Sequence, residues 1–123
     1  YDVQPEAEAL RVQGNPRMLR SLVRNLLENA KRHGREPVRA SLGRAEGQLR
    51  LWLDDAGALV AEEDRERIFE PFYRPVGHRE GKDGGVGLGL WLVRSIAEHH
   101  GGSVRYLAHE GHSRFEVTLP VER

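Results

Sequence analysis

Two asparagines, one aspartate and a run of glycines carry the chemistry this sequence could perform. Asn25 and Asn29 stand four residues apart, a spacing that puts both on one ridge of a helix. Arg32 and His33 follow within a turn. An amide oxygen is a neutral hard ligand, suited to a Mg²⁺ ion that keeps most of its waters and bridges phosphates. Asp55 ends an apolar run and precedes Gly57. A buried carboxylate there can accept a hydrogen bond from the amino group of a base, and glycine permits close backbone approach. Taken singly, the asparagines could equally solvate a helix flank, and Asp before Gly is a common turn. Gly85, Gly87 and Gly89, with Leu88 between the last two, precede a second helical pattern. A glycine-rich backbone and a helix start can together close on phosphate. This is not a dinucleotide fingerprint, because Leu90 occupies the place of its third glycine and no strand comes directly before, and there is no Walker lysine motif.

The elements that must position these residues are legible as patterns. Asn15-Pro16 starts a helix. Apolar residues then recur at helical spacing from Leu19 to Ala30, and Gly34 is read as the stop, giving a helix over 16–33. The segments 37–42 and 49–53 alternate as a hairpin with its turn at 43–47. Residues 61–69 read as a short charged helix. Residues 73–86, rich in glycine and charge, read as a mobile loop. A helix over 88–100 ends at Gly101-Gly102, and a closing hairpin turns around Glu110-Gly111. Residues 1–14 read as an entry strand or linker. The expected fold is an α/β (α+β) two-layer sandwich: a mixed, mainly antiparallel sheet under helices.

Composition narrows the function classes. The 123 residues fit a single domain, 1–123. Lys plus Arg and Asp plus Glu total 19 each, which leaves no basic footprint and argues against nucleic acid. Without cysteine there is neither a disulfide framework nor a thiolate metal site. No apolar run reaches the length of a membrane span.

Four segments in fixed order resemble the nucleotide-binding boxes of sensor histidine kinases, within the gyrase, chaperone and histidine-kinase ATPase superfamily. They are Asn25 to Asn29, Asp54 to Gly57, Phe69-Glu70-Pro71-Phe72, and Gly85 to Leu90. The resemblance implies the superfamily's Bergerat-type ATP-binding fold, with ATP and Mg²⁺ as cofactors. It makes Asn29 the metal ligand, sets Asn25 at the phosphate end, extends Arg32 to phosphate and packs His33 on adenine or ribose. Asp55 then reads adenine, with Gly57 beside it. Phe69 and Phe72 hinge the loop as a lid, Arg74 reaches the terminal phosphates, and Lys82 is a weaker candidate. Gly85, Gly87, Leu88 and Gly89 close on the phosphates. Asp54 and His78 are expected to be solvated, and Trp91 to pack on the sheet. Hydrolytic relatives carry a glutamate where this chain has Asn25, and an amide takes no proton from water. Glu28 points away from the core and is no substitute. The family's second glycine in the Asp55 box is replaced by Leu59.

The function so implied is transfer of the ATP γ-phosphate to a histidine on a separate dimerisation domain, for relay to a response regulator. None of the six histidines lies in a phosphoacceptor pattern, so the chain is expected to be the catalytic domain alone. The full-length protein is expected to be a homodimer anchored in the inner membrane, with this domain in the cytoplasm. The rival readings are a nucleotide-sensing module without catalysis and an anti-sigma-type serine kinase.

Overall fold

The computed structural model describes residues 2–3, 14–73 and 88–121. Along the chain lie β1 (Asp2–Val3), α1 (Pro16–His33), β2 (Arg39–Ala45), β3 (Gln48–Asp55), two 3₁₀ turns (Glu62–Asp64 and Arg67–Phe69), α2 (Gly89–His99), β4 (Ser103–His109) and β5 (His112–Pro120). The sheet order is β1-β2-β3-β5-β4. β1 runs parallel to β2, and the other pairings are antiparallel. The expected mixed, mainly antiparallel sheet is therefore present, with α1 and α2 packed on one face.

Sequence explains the helix bounds. Asn15 caps α1, its side chain accepting from the Arg17 and Met18 amides, and Pro16 occupies the first turn, where it loses no bond. The end of α1 differs from a glycine stop. Gly34 is extended, with φ −95° and ψ −172°, so positive φ is not its purpose. α2 does end on a left-handed glycine: Gly101 has φ +80°, and the Gly102 amide reaches back 2.8 Å to Ala97 O.

Both hairpins close through Glu-Gly pairs in the left-handed region, Glu46-Gly47 and Glu110-Gly111. That geometry matches strand twist and needs only two residues, so β2 runs on through Gly43 to Ala45 and the turn is tighter than 43–47. Residues 61–69 form two 3₁₀ turns, not the expected helix. Neither turn has a side-chain cap, and Ile68 and Phe69 are drawn into the core. Among the described residues no helix is long and apolar enough to cross a membrane.

The core lies between helices and sheet. Leu22, Leu26 and Ala30 come from α1, and Val93, Ile96 and Ala97 from α2; Leu53, Tyr106, Phe115, Val117 and Leu119 come from the sheet. Strand alternation sends the odd positions of β3 and β5 inward and the even ones outward. On the outer face Glu116 is nonetheless buried. Trp52 Nε1 donates to it at 2.8 Å and Arg105 Nε at 2.7 Å. Burial pushes its carboxyl up, but the Trp52 and Arg105 hydrogen bonds and the Arg105 and Arg50 charges prevail and hold it below the usual range. Asp54 is not a solvated neighbour: Arg114 grips it with two bonds of 2.8 and 2.9 Å, which together with its charge raise the guanidinium's affinity for its proton.

Candidate functional site

The site is built where α1, the end of β3 and the start of α2 converge. Asp55 is the last residue of β3. Its odd position turns it inward, under the end of α1, where it is 5% exposed. The Gly57 amide donates to its Oδ1 at 2.7 Å, and the Ala56 amide donates to Arg35 O at 2.9 Å. Two glycines make this packing possible. A Cβ on Gly57 would lie 2.8 Å from Asp55 Oδ1 and 2.9 Å from Gly34 Cα. A Cβ on Gly34 would lie 2.6 Å from both Ala30 O and Asp55 Cγ. Gly34 thus lets the chain leave α1 directly over the carboxylate. Oδ2 makes no hydrogen bond among the described residues, so one oxygen of Asp55 stays available as an acceptor for a ligand.

The asparagines lie on the flank of α1. Asn25 and Asn29 are half-buried between the buried row of Leu22, Leu26 and Ala30 and the exposed face. Asn25 Nδ2 donates to Ser21 O at 2.8 Å, which turns its Oδ1 away from that carbonyl. It lies against the first residue of α2, where a Cβ on Gly89 would sit 3.3 Å from it. Asn29 has no hydrogen bond to another described residue, and its amide oxygen suits a hard cation. Among the described residues there is no cluster of three His, Asp or Glu side chains able to hold a metal. The described residues thus build no protein cage for a metal, and the Asn29 amide oxygen would serve a Mg²⁺ ion as a single neutral ligand.

The helix start completes the geometry. Leu88 precedes α2 without a side-chain cap, and the first turn holds no acidic residue. The first amides of α2 are donors left over by the helix itself, and the dipole favours an anion there. Arg32 and His33 are exposed at the C-terminal end of α1, the end that also carries Gly34 over Asp55. Arg74, Gly85 and Gly87, with His78, Lys82 and most of the expected lid, lie outside the described residues.

Several expectations need correction. Of the two lid phenylalanines only Phe69 is an anchor, buried and edge-on to Phe115 at 6.1 Å between centroids. Phe72 is 68% exposed and takes φ +65°. The anchor beside it is Tyr73, whose hydroxyl donates to Asp64; that bond, with burial, raises the phenol's pKa. Trp91 does not pack on the sheet and is exposed. Leu59 takes no positive φ, being absent from the left-handed region that Glu46, Phe72 and Glu110 occupy. Glu28 does face away from the site, as expected, in an open groove of about 820 Å³ on the outer side of α1. Sequence reasoning missed Gly34, Tyr106 and Ser113. The signal for the last two was a hydroxyl at an inward position of an apolar, alternating strand.

A helix flank, a strand end and a helix start, in place of a phosphate loop, make the candidate cradle of a nucleotide-binding domain. The chain belongs to the histidine kinase-, DNA gyrase B- and HSP90-like ATPase family, whose model matches residues 14–123. It is 38% identical over 124 residues to the sensor protein CutS of Streptomyces coelicolor, covering 98% of this chain and 30% of that protein. The chain thus spans only 20–30% of the length of such curated relatives. The mycobacterial sensor histidine kinase MprB superimposes with a TM-score of 0.81 at 26% identity, over 98% of this chain and 81% of that one. Full-length ShkA in complex with AMPPNP gives a TM-score of 0.69 at 29% identity, over 85% of this chain and 21% of that one. The expected family and fold are both borne out, and the domain is an ATP-binding domain of the histidine-kinase type.

Proposed function

We propose that this domain holds Mg-ATP as phosphoryl donor for a two-component sensor histidine kinase. One observation carries the reading. A buried carboxylate with one open acceptor oxygen lies at one end of α1, and an uncapped helix start faces Asn25 further back along the same helix. A nucleotide would lie along α1 with its base at Asp55 and its phosphates at the start of α2. Asp55 would accept from the adenine amino group, which guanine does not offer in that place. Asn29 would be the protein's ligand to Mg²⁺, and the metal when bound would neutralise phosphate charge. Asn25 Oδ1 would line the phosphate end. Arg32, and Arg74 with Gly85 and Gly87, are assigned to the phosphates by family resemblance, as His33 is to the base. The relatives' names and the AMPPNP complex of ShkA support the nucleotide and the kinase class.

The chemistry left to the protein is positioning and charge dispersal while an acceptor attacks the γ-phosphate in line. Asn25 cannot act as a base toward water, which favours transfer over hydrolysis. The acceptor would be a histidine on a dimerisation domain of the same protein, with a response regulator next in the relay. The whole protein would be a membrane-anchored homodimer presenting this domain on the cytoplasmic side.

The test is radiolabelled ATP with this chain alone. The expected result is binding with neither self-labelling nor appreciable phosphate release. Adding the dimerisation domain in trans should label that domain with acid-labile phosphate, at a rate that rises with its concentration because the tether is missing. Stable self-labelling, acid-stable product or brisk phosphate release would overturn the reading.

A further inference from the structure

The loop from Ala56 to Val60, directly after Asp55, has no regular secondary structure. Ala56, Ala58 and Leu59 are exposed, and of the loop's apolar side chains only Val60 packs against the core. It hangs from two buried hydroxyls on the closing hairpin. The Val60 amide donates to Tyr106 Oη at 3.0 Å. Tyr106 Oη lies 2.7 Å from Ser113 Oγ, and Ser113 Oγ lies 3.4 Å from Ala58 O. The direction of the chain is fixed by its ends. An amide can only donate and a carbonyl can only accept, so Tyr106 donates to Ser113, and Ser113 to Ala58. Each hydroxyl then both accepts and donates. Tyr106 and Ser113 are 6% and 4% exposed, and in such surroundings an unmade bond is costly.

The loop is held on its other side as well. Arg65 Nε donates to Val60 O at 3.0 Å, and the same guanidinium lies over the Tyr106 ring, 5.5 Å from its centroid. Val60, Tyr106 and Arg65 thus close a ring of contacts. Ser113 stands directly opposite Asp55 in the β3–β5 register, so the clamp and the carboxylate share one position of the sheet.

We propose that Tyr106 and Ser113 are positioning residues for base recognition: their serial hydroxyls fix the Ala56–Val60 loop, and through it the Gly57 amide that orients the Asp55 carboxylate. This rests on Asp55 being the base reader. It gives the loop a shape set from outside its own sequence, with no left-handed residue at Leu59.

The test compares ATP with ITP, whose base lacks the exocyclic amino group, by calorimetric titration of the unmutated protein, Tyr106→Phe, Ser113→Ala and the double variant. Phenylalanine keeps the ring and its edge contact with Phe115. In Tyr106→Phe the Val60 amide should exchange at least about tenfold faster without nucleotide, as expected for a lost bond in a thinly packed loop. ATP affinity should fall about five- to tenfold, the scale of one hydrogen bond, with ITP affinity changed less than about twofold. Because the bonds are in series, the double variant should be no worse than the worse single one, within the usual scatter of about twofold. Equal affinity of the unmutated protein for ATP and ITP would remove Asp55 as base reader, and with it the foundation. A clear ATP preference that survives both single variants would overturn the clamp alone, as would equal losses for ATP and ITP. If Tyr106→Phe does not fold, Ser113→Ala carries the same readouts.

Discussion

The two ends of the site are made differently. At the base end the protein's own groups satisfy one another: Gly57 N–H with Asp55, Ala56 N–H with Arg35 O, Val60 N–H with Tyr106. Two glycines bring backbone against the carboxylate with no room for a methyl group. At the phosphate end the groups are left open. Asn29 has no partner among the described residues, and α2 begins without a cap. A flat base demands shape, which packing supplies in advance. Phosphates bring charge, and charge can organise loose donors as it arrives. The base end should therefore be rigid and intolerant of added bulk, and the phosphate end tolerant in stability but decisive for affinity.

The largest effect should come from adding one methyl group to the base end. Gly34→Ala must displace a backbone carbonyl, not the tip of a flexible side chain. We expect a loss of about 2–3 kcal/mol in urea unfolding and no measurable ATP binding. Gly47→Ala is the control. That glycine has φ +76° with nothing near its missing Cβ, so the cost should be about 1–2 kcal/mol of backbone strain, with binding intact. Equal loss of binding in both variants would show that general destabilisation, not the packing of the base end, is what binding feels.

Next should come Asp55→Asn, which keeps the volume and adds donors where an acceptor is needed. ATP affinity should fall by about 1.5–3 kcal/mol, the range for a hydrogen bond to a charged group. Competition by GTP as strong as by ATP in the unmutated protein would show that the base is not read here. Asn29→Ala should then weaken Mg-ATP about tenfold, again on the scale of a charged bond. Without Mg²⁺ the variant should match the parent, and unfolding midpoints should coincide. A metal-independent loss would take Asn29 off the cation.

How much of this could be read in advance follows from where the causes lie. α1 was legible because its cap, its first-turn proline and its apolar spacing are all local to residues 15–30. Asp55 and Gly57 were legible as neighbours on the chain. Gly34 was not, because its partner is 21 positions away and the same residue type also stops helices. Tyr106 and Ser113 were hidden for the same reason: their hydroxyls have meaning only once β4 and β5 fold beside the end of β3. The 3₁₀ turns at 62–69 were misread because core packing of Ile68 and Phe69 outweighed a weak helical propensity. Asp54 was misread because its partner, Arg114, arrives on the neighbouring strand.

The smallest effect separates site from scaffold. Glu116 lies on the outer face of the sheet, on the β5 strand that also carries Ser113. If the base end owes its rigidity to the inner face alone, Glu116→Gln should leave ATP affinity unchanged while lowering stability. The amide keeps one acceptor oxygen for Trp52 but loses the charge that Arg105 and Arg50 face. Arg105 is largely exposed, so solvent screens part of that attraction, and the expected cost at pH 7 is about 1 kcal/mol. The sign with pH follows from the lowered carboxyl pKa. Stability from such a group is fully present above the unfolded value, about 4.3, and is lost as pH falls through the lower folded value. The gap between parent and variant should therefore be constant from pH 7 to about 5 and close in more acid solution. Urea unfolding across that range, with ATP titration at pH 7, measures both. A gap that persists in acid would mean that packing, not charge, gives Glu116 its role. Weakened ATP binding at pH 7 would mean that the outer face helps to hold the base end rigid.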